Sequence, residues 1–262
     1  MIKSVFGKDN KTVKFLKSLH DKKGRKQNGC FLLEGERAVC DSAKANGALI
    51  KLIMFSETFY NCHKELAEKL SGEFECYAAS DKLFMQAADT ENPQGIIAAV
   101  NIPNSGGFDF GCGEDVLILD SVSDPGNMGT IIRTAEAMGF NSIFLFGGCV
   151  DVYSPKVVRS TMGSVLREKI YRADEQDLEK LKNSGYKLYA SALSENSLSL
   201  NSVKRSGKSA VIIGNEANGI SKRVLDVADC YVKIPMKGKI ESLNAAVAAA
   251  VFMYHFSEER TF

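Results

Sequence analysis

Three apolar stretches in the second half of this 262-residue chain are each followed by a polar loop. The stretches are residues 116–120, 210–214 and 231–234, and the side chains that follow them include Asn127, Arg133, Glu216, Ser242 and Asn244. Open α/β sheets build their ligand sites at the carboxyl ends of their strands, so we expect the three loops to form one site. Amide, carboxylate and guanidinium groups gathered there can position a hydroxyl group and stabilise charge that develops on it.

The glycine pattern of these loops excludes the commonest reactions of α/β proteins. Gly126 and Gly129 follow the first stretch, but the G-x-G-x-x-G spacing of a dinucleotide site is absent. The G-x-x-x-x-G-K-[ST] pattern that cradles phosphates is also absent, as is the G-x-S-x-G pattern of Ser-His-Asp hydrolases. The chemistry must therefore depend on the polar side chains of the loops themselves.

An α/β architecture is predicted for both halves of the chain, because short apolar strands alternate with helical segments throughout. In the first half, a helix over 11–23 and a basic loop over 24–29 precede strands at 31–33, 49–55, 74–79 and 96–100. Residues 101–114 are rich in Gly, Pro and Ser, as a linker should be. We predict one domain at 1–103, a linker at 104–114 and a second domain at 115–262, whose all-apolar strands indicate a buried parallel sheet.

The composition is that of ordinary globular domains, with 45% hydrophobic and 25% charged residues. No apolar run approaches the roughly 18 residues of a membrane span, so we expect no membrane association. We expect no secretory signal at the start of the chain, whereas its lysine-rich, acid-poor composition leaves a mitochondrial transit peptide open. Seven cysteines without a C-x-x-C pair indicate reduced thiols in a cytoplasmic protein. Because the three histidines are also dispersed, we predict that no metal is bound.

Positive charge is concentrated at the beginning of the chain. Residues 1–27 contain eight lysines and one arginine against two aspartates, a net of +7, so the remainder must carry −6 for the total of +1. A basic segment of this kind is expected where a protein binds a phosphate backbone, although a solvated lysine-rich helix gives the same pattern. We predict that it binds RNA.

The three loops together resemble the three motifs of the SpoU (TrmH-like) RNA methyltransferases of the SPOUT superfamily. The matching segments are 124–135, 213–220 and 234–244, in the same order and at fitting separations. The first hundred residues resemble the ribosomal-protein-like α/β domain with which many members bind RNA. Residues 31–35 and 93–95, Phe-Leu-Leu-Glu-Gly and Pro-Gln-Gly, carry that less specific likeness.

The resemblance implies methylation of a ribose 2′-hydroxyl in RNA, with S-adenosyl-L-methionine as the methyl donor. It also implies a homodimer and a trefoil knot in the C-terminal segment, an exception to the rule that chains do not thread loops. Ribosomal RNA is the favoured substrate, because the accessory domain is typical of the ribosomal branch. The alternatives are a transfer RNA substrate, methylation of a base, and a non-catalytic role in RNA binding or ribosome assembly.

Cofactor-binding positions carried over from the family are Gly214, Ile234, Met236 and Leu243. An adenosine with a sulfonium group needs backbone donors and acceptors and an apolar wall more than charged side chains. A glycine at 214 would allow the backbone to approach the cofactor closely. Taken alone, Ile234 and Leu243 are more typical of an ordinary core than of a cofactor site.

The catalytic set implied by the resemblance is Arg133, Asn127, Glu216, Ser242 and Asn244. Arg133 is the family's candidate for activating the 2′-hydroxyl. Because a guanidinium stays protonated, we expect it to clamp a phosphate or stabilise an alkoxide, and its role as a base stays open. Asn127 would hold Arg133 or the ribose, unless it only caps a helix, and Glu216 would complete the polar network, unless it only pairs with Arg133. We expect Ser242 to touch substrate and Asn244 to cap a helix or tie the knot.

Further positions carry weaker expectations. Arg159 matches a family position that would bind an RNA phosphate or reach a dimer interface. Lys237 and Lys239 are either phosphate contacts or solvated surface. Asn215 and Asn218 depart from the residues that members often carry, which leaves the fit of the substrate open.

Overall fold

The structure, a computed structural model, describes residues 1–7, 10–205, 207–240 and 242–258. Glu241, which belongs to the third loop, lies outside these ranges. The chain forms two compact units: the first contains Met1–Asn104 and Asp151–Leu166, and the second contains Ser105–Val150 and Arg167–Phe262. The chain therefore passes between the units three times, at 104/105, 150/151 and 166/167.

Strands and helices alternate along the chain, as predicted for an α/β protein. The strands are β1 (Lys3–Val5), β2 (Cys30–Glu34), β3 (Ile50–Ser56), β4 (Cys76–Ala79), β5 (Ile96–Asn101), β6 (Val116–Asp120), β7 (Ser142–Phe146), β8 (Lys169–Arg172), β9 (Lys187–Ser191), β10 (Leu198–Ser199), β11 (Ser209–Ile213) and β12 (Cys230–Lys233). The helices are α1 (Lys11–Ser18), α2 (Lys22–Asn28), α3 (Glu36–Asn46), α4 (Glu57–Cys62), α5 (Lys64–Glu73), α6 (Asp81–Ala87), α7 (Pro125–Met138), α8 (Pro155–Thr161), α9 (Glu175–Asn183), α10 (Lys222–Leu225) and α11 (Ala245–Glu258).

The first unit contains a five-stranded mixed sheet in the order β1-β4-β3-β5-β2. β1 and β3 run parallel to β4, whereas β5 is antiparallel to both β3 and β2. The prediction of one helix over 11–23 and a loop over 24–29 is wrong, because α1 ends at Ser18 and α2 occupies Lys22–Asn28. Gly24 makes this turn possible: a side chain there would overlap the carbonyl group of Ser18.

Residues 151–166 belong to the first unit, although they follow β7 of the second. Arg25, which is only 4% exposed, binds Asp151 at 2.7 Å and also donates to the carbonyls of Leu19 and His20. The rings of Phe31 and Tyr153 lie 5.1 Å apart, and α8 packs against β2. Removing one partner of a buried ion pair costs several kcal/mol, so the pair between Arg25 and Asp151 fixes residues 151–166 firmly in the first unit.

The second unit is built on a seven-stranded sheet in the order β10-β12-β9-β11-β6-β7-β8, and every pairing is parallel. This confirms the predicted parallel sheet. β6 and β11 are neighbours, but the chain continues from β6 toward β7 and from β11 toward β12, in opposite directions across the sheet. Such a switch point opens a crevice at the carboxyl ends of the strands.

α11 and α7 pack together beside this sheet, and α11 also contacts β11. Asp124 begins α7 by accepting a hydrogen bond from the backbone N–H of Asn127, with Pro125 in the first turn, and Gly139 ends the helix in a left-handed conformation. α7 and α11 have 14 residues each, and none of the helices described is long and apolar enough to cross a membrane.

Glu168 is a carboxyl group buried in the second unit, with 5% of its surface exposed and one side-chain oxygen without a hydrogen-bond donor. Burial, together with a smaller contribution from the neighbouring Glu136 carboxylate, raises the pKa of this carboxyl from 4.5 to about 8. The folded chain therefore keeps a proton on Glu168 that the unfolded chain loses at a lower pH.

We expect Glu168→Gln to stabilise the protein increasingly as the pH rises from about 4.5 to about 8. In this window the wild type releases a proton on unfolding, so its free energy of unfolding falls with pH, whereas the amide does not titrate. One unit of pKa shift corresponds to about 1.4 kcal/mol, so the difference at pH 9 should reach a few kcal/mol. Urea unfolding at pH 5, 7 and 9 measures it.

The matched control is Glu179→Gln on α9, which removes an exposed carboxylate instead of a buried one. A stability difference between Glu168→Gln and wild type that stays constant from pH 5 to 9 would contradict the assignment.

Candidate active site

The loops that follow β9, β11 and β12 surround one crevice of the second unit. The loop after β6 is joined to them by hydrogen bonds. A cavity of about 460 Å³ lies there, between the loop after β11, the loop after β12 and the first turn of α11. The residues that line it include all four predicted cofactor positions, Gly214, Ile234, Met236 and Leu243. Glu216 and Ser242 of the predicted catalytic set also line it, whereas Asn127, Arg133 and Asn244 do not.

A chain of side-chain hydrogen bonds joins all three loops. The amide nitrogen of Asn127 donates to the carboxylate of Glu216 at 2.6 Å, and the amide nitrogen of Asn244 donates to the amide oxygen of Asn127 at 2.9 Å. Asn127 therefore uses both ends of its amide, one toward the second loop and one toward the third. Three residues that the sequence places 89 and 117 positions apart form one polar network.

Helix capping holds the two asparagines in place. Asp124 caps α7, so Asn127 lies in the first turn with its backbone N–H bonded and its side chain available. The alternative in which Asn127 only caps the helix is therefore wrong. Asn244 accepts hydrogen bonds from the backbone N–H groups of Ala246 and Val247 at 2.9 and 3.3 Å, which is an N-cap of α11, as expected.

Arg133 lies on α7 six residues beyond Asn127, about 9 Å along the helix axis. Its side chain is exposed and has no hydrogen bond or ion pair with any residue that the structure describes. Asn127 does not hold Arg133 here, and the carboxylate of Glu216 binds Asn127 and forms no pair with Arg133. The exposed guanidinium of Arg133 is available to an anionic ligand.

The backbone of Gly214 lies close to the backbone of Gly219 and Ile220 in the same loop. A Cβ atom at this position would be 2.5 Å from the carbonyl oxygen of Gly219 and from the backbone nitrogen of Ile220. Asn215 and Gly219 exchange two backbone hydrogen bonds, at 2.9 and 3.0 Å, which close the loop. The closure of this loop is by itself sufficient to require glycine at 214.

Asn215 has a role that the sequence did not reveal. Its amide nitrogen donates to the carbonyl of Ser121 at 2.8 Å and to the hydroxyl of Ser123 at 3.3 Å. Its amide oxygen accepts from the backbone N–H groups of Ala217 and Asn218 at 2.9 and 3.1 Å. Asn215 thus shapes the second loop and ties it to the first.

Asp120, at the end of β6, is a second residue that the sequence analysis missed. Its carboxylate is fully buried and accepts hydrogen bonds from the hydroxyl of Ser121 at 3.0 Å and the backbone N–H of Ser221 at 2.6 Å. Ser121 has a positive φ of 58°, and Gly147 packs against it. A charged residue that ends an otherwise apolar strand is the signal that could have identified it.

The remaining predicted residues lie at the surface. Ser242, Lys237 and Lys239 are exposed. Arg159 forms an ion pair with Asp89 at 2.7 Å inside the first unit. Among the residues described, no group of three or more histidines, cysteines or acidic residues is arranged to hold a metal ion.

Two known protein families match the chain. The model of the SpoU rRNA methylase family matches residues 114–254, and that of the MRM3-like substrate binding domain matches residues 10–98. The 23S rRNA (guanosine(2553)-2′-O)-methyltransferase RlmP of Bacillus subtilis is 34% identical over 255 residues, which cover 97% of this chain and 99% of the relative.

Solved structures are similar over nearly the whole chain. An AdoMet-bound rRNA methyltransferase from Sinorhizobium meliloti has a TM-score of 0.84 at 28% identity and covers 97% of both chains. The SpoU methyltransferase AviRb from Streptomyces viridochromogenes, in complex with AdoMet, has a TM-score of 0.82 at 25% identity over 95% of this chain and 98% of its own.

We expect Gly214→Ala to open the second loop. The added methyl group would force the backbone of residues 219 and 220 away, at a cost of about 1–3 kcal/mol. The backbone N–H groups of Asn215 and Gly219 should then exchange with solvent about tenfold faster or more, as NMR-detected hydrogen exchange can measure.

Gly238→Ala is the control, because no atom lies within 4 Å of a Cβ atom there. Unchanged exchange at Asn215 and Gly219 in Gly214→Ala would show that the loop accommodates a side chain.

Proposed function

The chain belongs to the SpoU rRNA methylase family, and we propose on this basis that it methylates a ribose 2′-hydroxyl in ribosomal RNA with S-adenosyl-L-methionine as donor. The observation that carries the proposal is a cavity at the carboxyl edge of the sheet that a polar network joins to α7. The loops after β11 and β12 line a cavity, and the polar network from Glu216 through Asn127 to Asn244 joins it to α7, which carries Arg133.

The cavity suits the proposed cofactor because of what lines it. Apolar side chains of Ile213, Ile234, Met236 and Leu243 form walls, and the backbone of residues 214–219 supplies polar groups. When bound, S-adenosyl-L-methionine would supply an electrophilic methyl group on its sulfur for transfer to the 2′-oxygen. Gly214, Ile234, Met236 and Leu243 would hold this group against the edge of the sheet.

The proposed catalytic residues divide the work between fixed and free groups. Glu216, Asn127 and Asn244 are bonded to each other, so they can present fixed donors and acceptors to the ribose. Arg133 is unbonded among the residues described, so it can bind an RNA phosphate or stabilise negative charge on the 2′-oxygen. Ser242 lines the cavity and is exposed, as a group that touches substrate must be.

The first unit is proposed to bind the RNA. Lysines of α1 and α2 are exposed to solvent: Lys11, Lys14, Lys17, Lys22, Lys23 and Lys26. Arg25 in the same segment is buried in its pair with Asp151, so the lysines alone offer charge to a phosphate backbone. We further propose that residues 1–103 form an RNA-binding domain with a ribosomal-protein-like fold and that residues 104–114 form a linker. Residues 115–262 are then the methyltransferase domain, with a trefoil knot in its C-terminal segment. The proposed location is cytoplasmic.

A homodimer is proposed through the outer face of α11. Val247, Val251 and Tyr254 are 49%, 37% and 53% exposed, and their spacing of four and three residues places them in one stripe along the helix. An exposed apolar stripe of this kind is typical of an interface. Since α11 begins at Asn244 of the polar network, a second copy on this face would lie beside the crevice.

We expect Arg133→Ala to reduce methyl transfer about 100-fold or more, as is typical when one donor that stabilises an oxyanion is lost. The affinity for S-adenosyl-L-methionine should stay unchanged, because Arg133 does not line the cavity. Transfer of a labelled methyl group to unmodified ribosomal RNA gives the rate, and digestion to nucleosides with mass spectrometry distinguishes ribose from base methylation.

Arg172→Ala provides the control, since it removes an exposed arginine from β8 of the same unit. If the wild type binds the cofactor and RNA but transfers no methyl group, the chain is a binding protein and the proposal is wrong.

We expect Val251→Glu to weaken the proposed dimer about tenfold or more, because it places a charge at the centre of the apolar stripe. Sedimentation equilibrium across a range of concentrations measures the association. Leu198→Glu is the comparison, since Leu198 is 50% exposed in the same unit but lies on β10. Equal association of both variants and wild type would place any interface elsewhere.

A further inference from the structure

The first unit contains a cavity of about 520 Å³ that the proposed methyl transfer does not use. It lies where the parallel strands β3 and β4 end, at the register pair Ser56 and Ala79, and residues 91–95 close one side. Ligand sites of α/β sheets form at such edges. All the residues that line it belong to the first unit.

A stack of aromatic rings forms one wall of this cavity. The rings of Phe55 and Phe59 are parallel, with centroids 6.0 Å apart, and the ring of His63 stacks on Phe59 at 4.4 Å and an angle of 17°. Phe59 is buried, whereas His63 is exposed and ends the stack. A planar ligand can therefore extend it on the side of His63.

Gly95 allows the closing loop to lie against this stack. Its backbone has a φ of 88°, and a Cβ atom would be 2.7 Å from the Cβ atom of Phe59 and 2.8 Å from the hydroxyl of Ser56. The backbone N–H of Ser56 donates to the carbonyl of Gly95 at 2.8 Å. The loop that carries Glu91 and Asn92 is thus anchored beside the aromatic wall.

Some polar side chains of the cavity are hydrogen-bonded within the protein, and others are not. Both carboxylate oxygens of Asp81 accept hydrogen bonds from Thr58, at 2.6 and 3.1 Å, and these bonds lower the pKa of Asp81. Glu91 and Asn92 also line the cavity, but they are exposed and have no hydrogen bond or ion pair with the described part of the chain. They are available to a ligand.

The distribution of charge indicates which part of a nucleotide would enter. No lysine or arginine lines the cavity, and two carboxylates do, so a phosphate would be repelled from the interior. Lys64 and Lys82 are exposed and directly follow the lining residues His63 and Asp81 in sequence. A nucleotide whose base lies inside the cavity and whose phosphates lie outside fits both the carboxylates of the lining and the neighbouring lysines.

We propose that this cavity binds an unpaired guanine base of the RNA, stacked on His63 and read along its Watson–Crick edge by Glu91 and Asn92. Guanine presents two adjacent donors, N1–H and N2–H, to the two oxygens of one carboxylate, and its O6 accepts from an amide such as that of Asn92. Uracil flanks its single donor with carbonyl oxygens, which a carboxylate repels. Stacking of unpaired bases on aromatic rings is the usual mode of sequence-specific RNA binding. This inference rests on the proposed function, since it identifies a feature of the RNA.

Binding of short fluorescent uridine oligonucleotides with a central guanosine, inosine or uridine tests the proposal, with the full chain and no methyl donor. Fluorescence anisotropy should show the guanosine oligonucleotide binding about tenfold more tightly than the other two, because inosine lacks the 2-amino donor. Glu91→Gln should abolish this preference, and His63→Ala should weaken binding of the guanosine oligonucleotide, with recovery in His63→Phe.

Glu65→Gln, an exposed carboxylate of α5 outside the cavity lining, should keep the full preference. The proposal is overturned if wild type binds the three oligonucleotides equally or if Glu91→Gln retains the preference. Methyl transfer by wild type to ribosomal RNA, measured in parallel, distinguishes the two failures: activity with no base preference refutes this cavity alone, whereas absent activity refutes the proposed function.

Discussion

The second unit depends on the hydrogen bonds that Asn127 makes with both ends of its amide group. A side-chain amide has a donor end and an acceptor end, and here the donor binds Glu216 while the acceptor receives Asn244. An aspartate of the same size would offer acceptors only. The bonds therefore hold the loops after β6, β11 and β12 in one arrangement. Capping by Asp124 fixes the turn of α7, and Asn244 is itself the cap of α11.

A second set of hydrogen-bonded groups also determines the shape of the crevice. The buried carboxylate of Asp120 joins Ser121 to Ser221, and Asn215 joins the second loop to the carbonyl of Ser121. Buried polar groups are costly unless they are bonded, so each of these contacts restricts the loops to the conformation that satisfies it. Because these hydrogen bonds already order the loops, the proposed cofactor residues need only supply apolar walls and backbone polar groups.

Charge in the first unit is divided between structure and surface. Arg25 is buried with Asp151, and Arg159 pairs with Asp89, so both arginines fix residues 151–166 in this unit. The lysines of α1 and α2 remain exposed. A guanidinium offers several directed donors and suits a buried pair, whereas a solvated ammonium group suits a mobile phosphate backbone. The aromatic stack that ends at His63 and the carboxylate of Glu91 add a different chemistry, which fits a nucleobase.

Local patterns in the sequence were enough to identify the parallel sheet, because buried strands are continuous apolar runs and polar residues after them mark its carboxyl edge. The resemblance of the three loops to family motifs implied Gly214, Ile234, Met236 and Leu243 as cofactor positions, and the structure places them around one cavity. Tertiary structure alone decided which polar groups bond. Asn127 meets Glu216 and Asn244 across 89 and 117 residues, and the clash that requires glycine at 214 comes from the folded loop at 219–220. The placement of 151–166 likewise follows from packing between distant segments, whereas the break at Gly24 comes from a close local approach to the carbonyl of Ser18. Sequence spacing carries the period of a helix or strand, but hydrogen bonds and steric contacts depend on which segments the fold brings together.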